Sequence, residues 1–146
     1  MKIKTSELIG SALDWAVALC EGRREPELMD NFAVAWFSWG NSHYSTNWAM
    51  GGPIIDEKGI TVIRLDNRSI PDSKGFWTGK YEPQWGASAG GGHSTQEVYG
   101  AQGDFYGECY QVNADAVVGP TSLIAAMRCY VASKLGDEVD IPKELT

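Results

Sequence analysis

Helical periodicity at both ends of the chain, with short extended pieces between them, restricts what these 146 residues can form. From Ser6 to Glu21 the apolar residues Leu8, Ile9, Ala12, Leu13, Ala16, Val17 and Cys20 recur at steps of three and four. That spacing lays a broad apolar stripe along a helix and demands a core beneath it. Thr5 is its expected N-cap, Glu7 suits the positive first turn, and Gly22 can take the left-handed exit conformation. Trp15 adds a second apolar side, so this helix is expected to be covered on more than one face. The second segment, Ser122 to Leu135, carries Leu123, Ile124, Met127, Tyr130, Val131 and Leu135 at the same spacing. Thr121 reads as its cap after the Gly119–Pro120 turn and Gly136 as its stop, with Arg128 and Lys134 on the less apolar side.

Between the helices the chain turns to β-branched and aromatic residues punctuated by glycine and proline. Phe32–Phe37 and Ile60–Leu65 are the best strand candidates, and Tyr106–Val112 is a third. Asp66–Gly75 reads as a solvated turn region because it holds Asn67, Arg68, Ser69, Pro71, Asp72 and Lys74. Gly86–Gly107 contains seven glycines and few aliphatic side chains, and reads as a long loop. After the second helix, Val139–Pro142 alternates and then meets proline, which suggests an extended acidic tail lying along the body. The class implied is α+β: N-terminal and C-terminal helices packed on a small antiparallel sheet with long irregular loops. Chain length suits one domain spanning residues 1–146.

The formal charge of −7, with Asp137, Glu138, Asp140 and Glu144 gathered near the end, argues against nucleic acid as a partner. Cys20, Cys109 and Cys129 are odd in number and widely spaced, which favours reduced thiols in a cytoplasmic protein over a disulfide framework. No apolar run approaches the roughly 18 to 20 residues that span a bilayer, and no secretory leader is evident. The expectation is a cytoplasmic protein with no membrane partner.

Three segments carry a resemblance. The opening KTSELIGSALDWAVALCEG (Lys4–Gly22), the central YSTNWAMGGPIIDEKGI (Tyr44–Ile60) and the run GPTSLIAAMRCYVASKLGDEVDIP (Gly119–Pro142) together resemble the NinX-like family. Members are small proteins encoded by lambda-like phages and prophages of enterobacteria. The resemblance implies a phage accessory protein made in a bacterial host, and it supplies no catalytic residues.

The residues themselves carry little reactive chemistry. His43, His93 and the three cysteines lack the paired spacing that lets one short element present two metal ligands, so no metal and no other cofactor is expected. His43 beside Ser42 and Ser45, or His93 beside Ser94, could be drawn as a small hydrolase, but neither lies in a nucleophile elbow, and the chain leans away from catalysis. Asp56–Glu57 and Asp137–Glu138 read as solvated acids. Gly90–Gly92 lacks the lysine and the following helix of a phosphate loop. Thr121 at a helix start is a better anion site, though an ordinary capped helix is the favoured explanation.

Aromatic residues remain: Trp36, Phe37, Trp39, Tyr44 and Trp48 cluster, and Trp77, Tyr81 and Trp85 follow. Tyr44 and Trp48 flank Ser45, Thr46 and Asn47, polar groups able to orient a planar ligand, and Gly51 and Gly52 allow close approach before Pro53. The candidate ligand-binding set is therefore Tyr44, Thr46, Asn47, Trp48, Gly51, Gly52, Trp85 and Thr121. The leading expectation is a non-enzymatic binding protein with an aromatic and polar pocket for a small planar or nucleotide-like host metabolite. The alternative is a protein-interaction module, either a homo-oligomer or a binder of a host or phage protein.

Overall fold

The computed structural model describes residues 1–22, 42–89, 93–99, 101–103, 105–112 and 116–145, and the candidate strand Phe32–Phe37 lies outside them. Three α-helices, α1 (Gly10–Cys20), α2 (Trp48–Lys58) and α3 (Ser122–Leu135), occur among these residues. The strands are β1 (Lys2–Lys4), β2 (Thr61–Pro71), β3 (Trp77–Ser88), β4 (His93–Tyr99), β5 (Phe105–Val112), β6 (Val117–Gly119) and β7 (Glu138–Asp140). All pair antiparallel, as a β2–β3–β6 sheet and the ladders β1–β7 and β4–β5. The class is α+β.

Helix α3 organises the core. It spans the residues its periodicity implied, its Thr121 Oγ1 accepts the Ile124 N–H at 3.1 Å, and the Gly136 N–H closes its end on Ala132 O. It packs on α1, α2 and all three strands of the central sheet, so the sheet rests on α3. Leu123 through Met127 are buried without interruption, as are Cys129, Tyr130 and Val131. Small residues permit the close approach of β6: a Cβ on Gly119 would lie 2.6 Å from the Ala125 nitrogen. Helix α1 is buried continuously from Ala12 to Ala18, Trp15 included, as expected of a helix apolar on more than one side.

Helix α1 starts at Gly10, later than its periodicity suggested, and Thr5 does not cap it. Thr5 sits in a 3-10 turn (Thr5–Glu7), where its hydroxyl donates to Gly136 O at 2.6 Å and its N–H to Asp137 O at 2.8 Å. Bonds to the far end of the chain thus draw Thr5 away from the helix, and Ile9 takes the cap position without a side-chain bond. The same region forms β1–β7, with Ile3 opposite Val139, so the tail lies extended along the body over Glu138–Asp140, before a 3-10 turn at Lys143–Leu145.

Two expected loops are largely strand. Asp66–Pro71 continues β2, and only the residues around Asp72–Phe76 turn. This arm presents no buried face at its far end, so it lacks the alternation that marks a strand. Gly86–Gly107 likewise contains the end of β3, all of β4 and the start of β5, paired from His93↔Val112 to Tyr99↔Phe105. Backbone pairing there overrides a composition rich in glycine.

Candidate functional site

The segment singled out by its aromatic and polar residues is a short turn followed by a helix. Asn47 Oδ1 accepts the Ala49 N–H at 2.9 Å and Asn47 O accepts the N–H of Met50 and Gly51, an N-cap that starts α2 at Trp48. Gly51-Gly52-Pro53 is therefore helical, although glycine and proline are the poorest helix formers. Pro53 has no N–H to give Ala49 O, a loss that normally disfavours a helix interior. Packing compensates. Gly51 and Ile54 are buried against the body, and a Cβ on Gly51 would meet Tyr44 O at 2.4 Å and Leu123 Cδ1 at 2.6 Å. Asp56 and Glu57 are exposed, as expected of solvated acids, in the last helical turn, and Gly59 ends it in the left-handed conformation.

These contacts divide the candidate residues. Tyr44 is 5% exposed and belongs to the core, whereas Trp48 is 57% exposed, so the two aromatics face different surroundings. Thr46 and Asn47 are exposed, the latter used as a cap. Gly51 joins the Tyr44 backbone to Leu123 of α3, two residues beyond Thr121, which is engaged as the α3 cap. Gly52 lies under Trp48, whose Cε3 would be 3.6 Å from an added Cβ. Trp85 is carried elsewhere, half-buried on β3 with the Arg64 guanidinium 5.3 Å from its ring centre.

Beneath the turn lies Asp14, a carboxylate buried on α1 that accepts the Ser45 N–H at 2.7 Å. Burial raises its pKa above the ordinary value, offset in part by the Ser45 backbone and hydroxyl and by the charge of His43. The Ser45 hydroxyl has no partner within hydrogen-bond geometry among the described residues, yet it lies close enough to favour that carboxylate. Ser, His and Asp thus gather here without forming a hydrolytic relay. Asp14 bonds backbone instead of orienting His43, and Ser45 at 2% exposure offers no nucleophile to a substrate. Burial and Glu21 push the Cys20 thiol up to about 11, which keeps it protonated and a poor nucleophile at neutral pH. Among the described residues no three His, Cys, Asp or Glu side chains converge as a metal would need, and no helix is long and apolar enough to cross a membrane.

What the sequence reading left unselected is the far end of the β2–β3 arm. Phe76, Trp77 and Tyr81 are 68%, 70% and 56% exposed. Asp72 holds the tip, with Oδ1 accepting the N–H of Lys74 at 2.8 Å and of Phe76 at 2.9 Å. Trp77 and Tyr81 meet edge to face at 6.5 Å. Their spacing along the chain was visible, but the apparent loop in Asp66–Gly75 concealed that a strand pair presents them.

Fold and surface together define a small α+β protein that presents exposed aromatics on a strand pair. The chain belongs to the NinX family of bacteriophage P22, whose family model matches residues 4–99. The match takes in the first two segments that carried the resemblance, while Gly119–Pro142 lies beyond it. Comparison with curated proteins finds no match. Family membership makes this a phage accessory protein.

Proposed function

We propose that the protein works by binding another protein in the host cytoplasm, through the aromatic tip of the β2–β3 arm and without chemistry of its own. The exposure of Phe76, Trp77 and Tyr81 on that arm carries the reading. Isolated two-stranded hairpins are marginal in water, so an arm of this kind gains from a surface to lie against. Trp and Tyr are the side chains that most often anchor protein interfaces. The Asp72-held tip is already ordered, which lowers the entropy lost on docking.

A second copy of the chain suits the arm by charge. Residues 64–82 carry Arg64, Arg68, Lys74 and Lys80 against Asp66, Asp72 and Glu82, a positive balance within a chain of net charge −7. Sedimentation over a range of concentrations tests this form. The expected result is reversible self-association that weakens with salt and is lost in a folded Trp77→Ser/Tyr81→Ser variant. A wild-type protein that stays monomeric throughout removes the second copy as partner.

A small planar or nucleotide-like host metabolite at Tyr44–Gly52 remains a second reading, favoured by the open indole of Trp48 beside exposed Thr46 and Asn47. It predicts a thermal shift with a nucleotide panel that disappears in Trp48→Ala. No shift with any nucleotide removes it.

A further inference from the structure

Apart from the aromatic arm, the molecule carries a groove of about 560 Å³ between β3, β6, the Thr5–Glu7 turn and α3. Its volume lies within the range of small-molecule sites. Pro83, Val117 and Pro120 give it apolar walls, and Arg128 and Gln84 supply polar groups.

Arg128 is the informative residue. It is half-buried on α3, where its Nε donates to Leu8 O at 2.7 Å and its Nη1 to Val118 O at 2.8 Å. Those bonds fix the guanidinium with neutral carbonyls only. Glu7 favours its charge from beyond ion-pair distance, no carboxylate lies within that distance among the described residues, and its Nη2 makes no hydrogen bond with any of them. A half-buried cation normally has an anionic partner, because desolvation otherwise works against its charge. Here the cation is held rigidly at a groove with donors to spare.

The remaining wall decides which anion fits. Arg68 and Glu82 form a long pair at 3.8 Å and roughly cancel, while Asp137 adds a further negative charge. A doubly charged phosphate would meet this acid at close quarters in a chain already at −7. A single carboxylate matches the planar guanidinium without that excess, and an apolar body would lie along Pro83, Val117 and Pro120.

We propose that this groove binds a small monocarboxylate with an apolar body, its carboxylate on Arg128. The site lies at the base of the arm, away from its aromatic tip, and does not depend on the protein-interaction reading.

The test is an NMR titration of the whole isotope-labelled chain with sodium hexanoate, with inorganic phosphate at matched ionic strength as the comparison. Hexanoate is expected to give saturable shifts of the Arg128 Nε–Hε signal and the Gly119 amide, and phosphate none. Arg128→Lys keeps the charge but loses the fork, so binding is expected to weaken about tenfold. Glu82→Gln, a change at a partly exposed side chain that leaves Arg128 and its carbonyls untouched, should free Arg68 and tighten binding several-fold. A merely structural Arg128 would not predict that gain. Absence of saturable shifts in the wild type, equal shifts with phosphate, or no tightening in Glu82→Gln would each overturn the proposal, and none of the three requires Arg128→Lys to fold.

Discussion

The helical core and the β2–β3 arm use the same residue types to opposite ends. Trp15, Tyr44 and Tyr130 are buried around α1 and α3, whereas Phe76, Trp77 and Tyr81 stand in solvent. The difference lies in their neighbours. In the core, backbone approaches so closely that glycine is required at position 51, beside Tyr44, and at position 119, against Ala125. Around the arm aromatics the flanking residues are charged or polar, and the strands pair only with each other. An aromatic side chain is therefore a packing element or a contact surface according to what the chain brings beside it, and the two regions should respond differently to substitution.

The largest response is expected at Gly51. Helix propensity alone would favour Gly51→Ala by about 1 kcal/mol. The new Cβ would sit 2.4 Å from a backbone oxygen and 2.6 Å from Leu123, however, and overpacking of this kind typically costs about 1–3 kcal/mol, at times more. Sterics should win, giving a net loss of about 2 kcal/mol or more in urea unfolding. Its neighbour should respond far less. At Gly52 the added Cβ meets Trp48 at an ordinary 3.6 Å, and the gain in helix propensity is opposed by the Pro53 ring, which disfavours helical backbone at the residue before it, so Gly52→Ala should change stability by under about 1 kcal/mol. Equal effects at the two glycines would mean that α2 does not pack on α3 as described.

Asp14 comes next. Asp14→Ala leaves the buried Ser45 N–H without an acceptor, at a cost of about 1–3 kcal/mol. The ionised side chain is itself unfavourable there. Because its folded pKa is raised, the folded protein holds the proton more tightly than the unfolded chain does. Its contribution to stability therefore falls as pH rises from near the ordinary 3.8 through the folded pKa, and the loss persists at neutral pH. Asp14→Asn keeps an acceptor and removes the charge. Denaturant midpoints measured from acid to neutral pH should show a fall in the wild type that Asp14→Asn abolishes.

Much of the core was legible in the chain, and the reasons are local. Ser122–Leu135 combines a period, a capping threonine and a terminal glycine, and all three agree with the structure. The signals failed where distant contacts decide. Thr5 resembles a cap but bonds Gly136 and Asp137, and Gly51-Gly52-Pro53, poor helix formers all, are held helical by Asn47 and by contact with α3. Neither partner is near in sequence. Among the candidate site residues, Tyr44, Asn47, Gly51 and Thr121 have identifiable structural roles, which composition could not reveal. Asp14 could have been noticed as an acid inside an apolar helical stripe, since a charge at that position asks for a partner.

A smaller effect should come from the α3 cap. Thr121→Ala removes the acceptor for the Ile124 N–H and should cost about 1 kcal/mol in thermal or urea unfolding. Since Thr121 is exposed, the change tests the cap with little disturbance of packing. A cost well above that range would indicate that α3 depends on its first turn more than its buried length implies.

The smallest effect on folding is expected at the arm, and it gives the comparison its sharpest test. Trp77→Ser removes an exposed ring whose contact with Tyr81 is edge to face, an interaction of about 0.5–1.5 kcal/mol in favourable settings and less at an open surface. Unfolding of a dilute monomer should therefore change by under about 1 kcal/mol, well below the effect at Gly51. Acrylamide quenching offers an independent check, because Trp77 at 70% exposure should be far more accessible than Trp15 at 4%. A reduced readily quenched component in Trp77→Ser, the share of exposed Trp48 remaining, with stability retained, would place the arm outside the cooperative core. If the substitution instead unfolds the monomer, Trp77 is a packing residue and the distinction between core and arm fails.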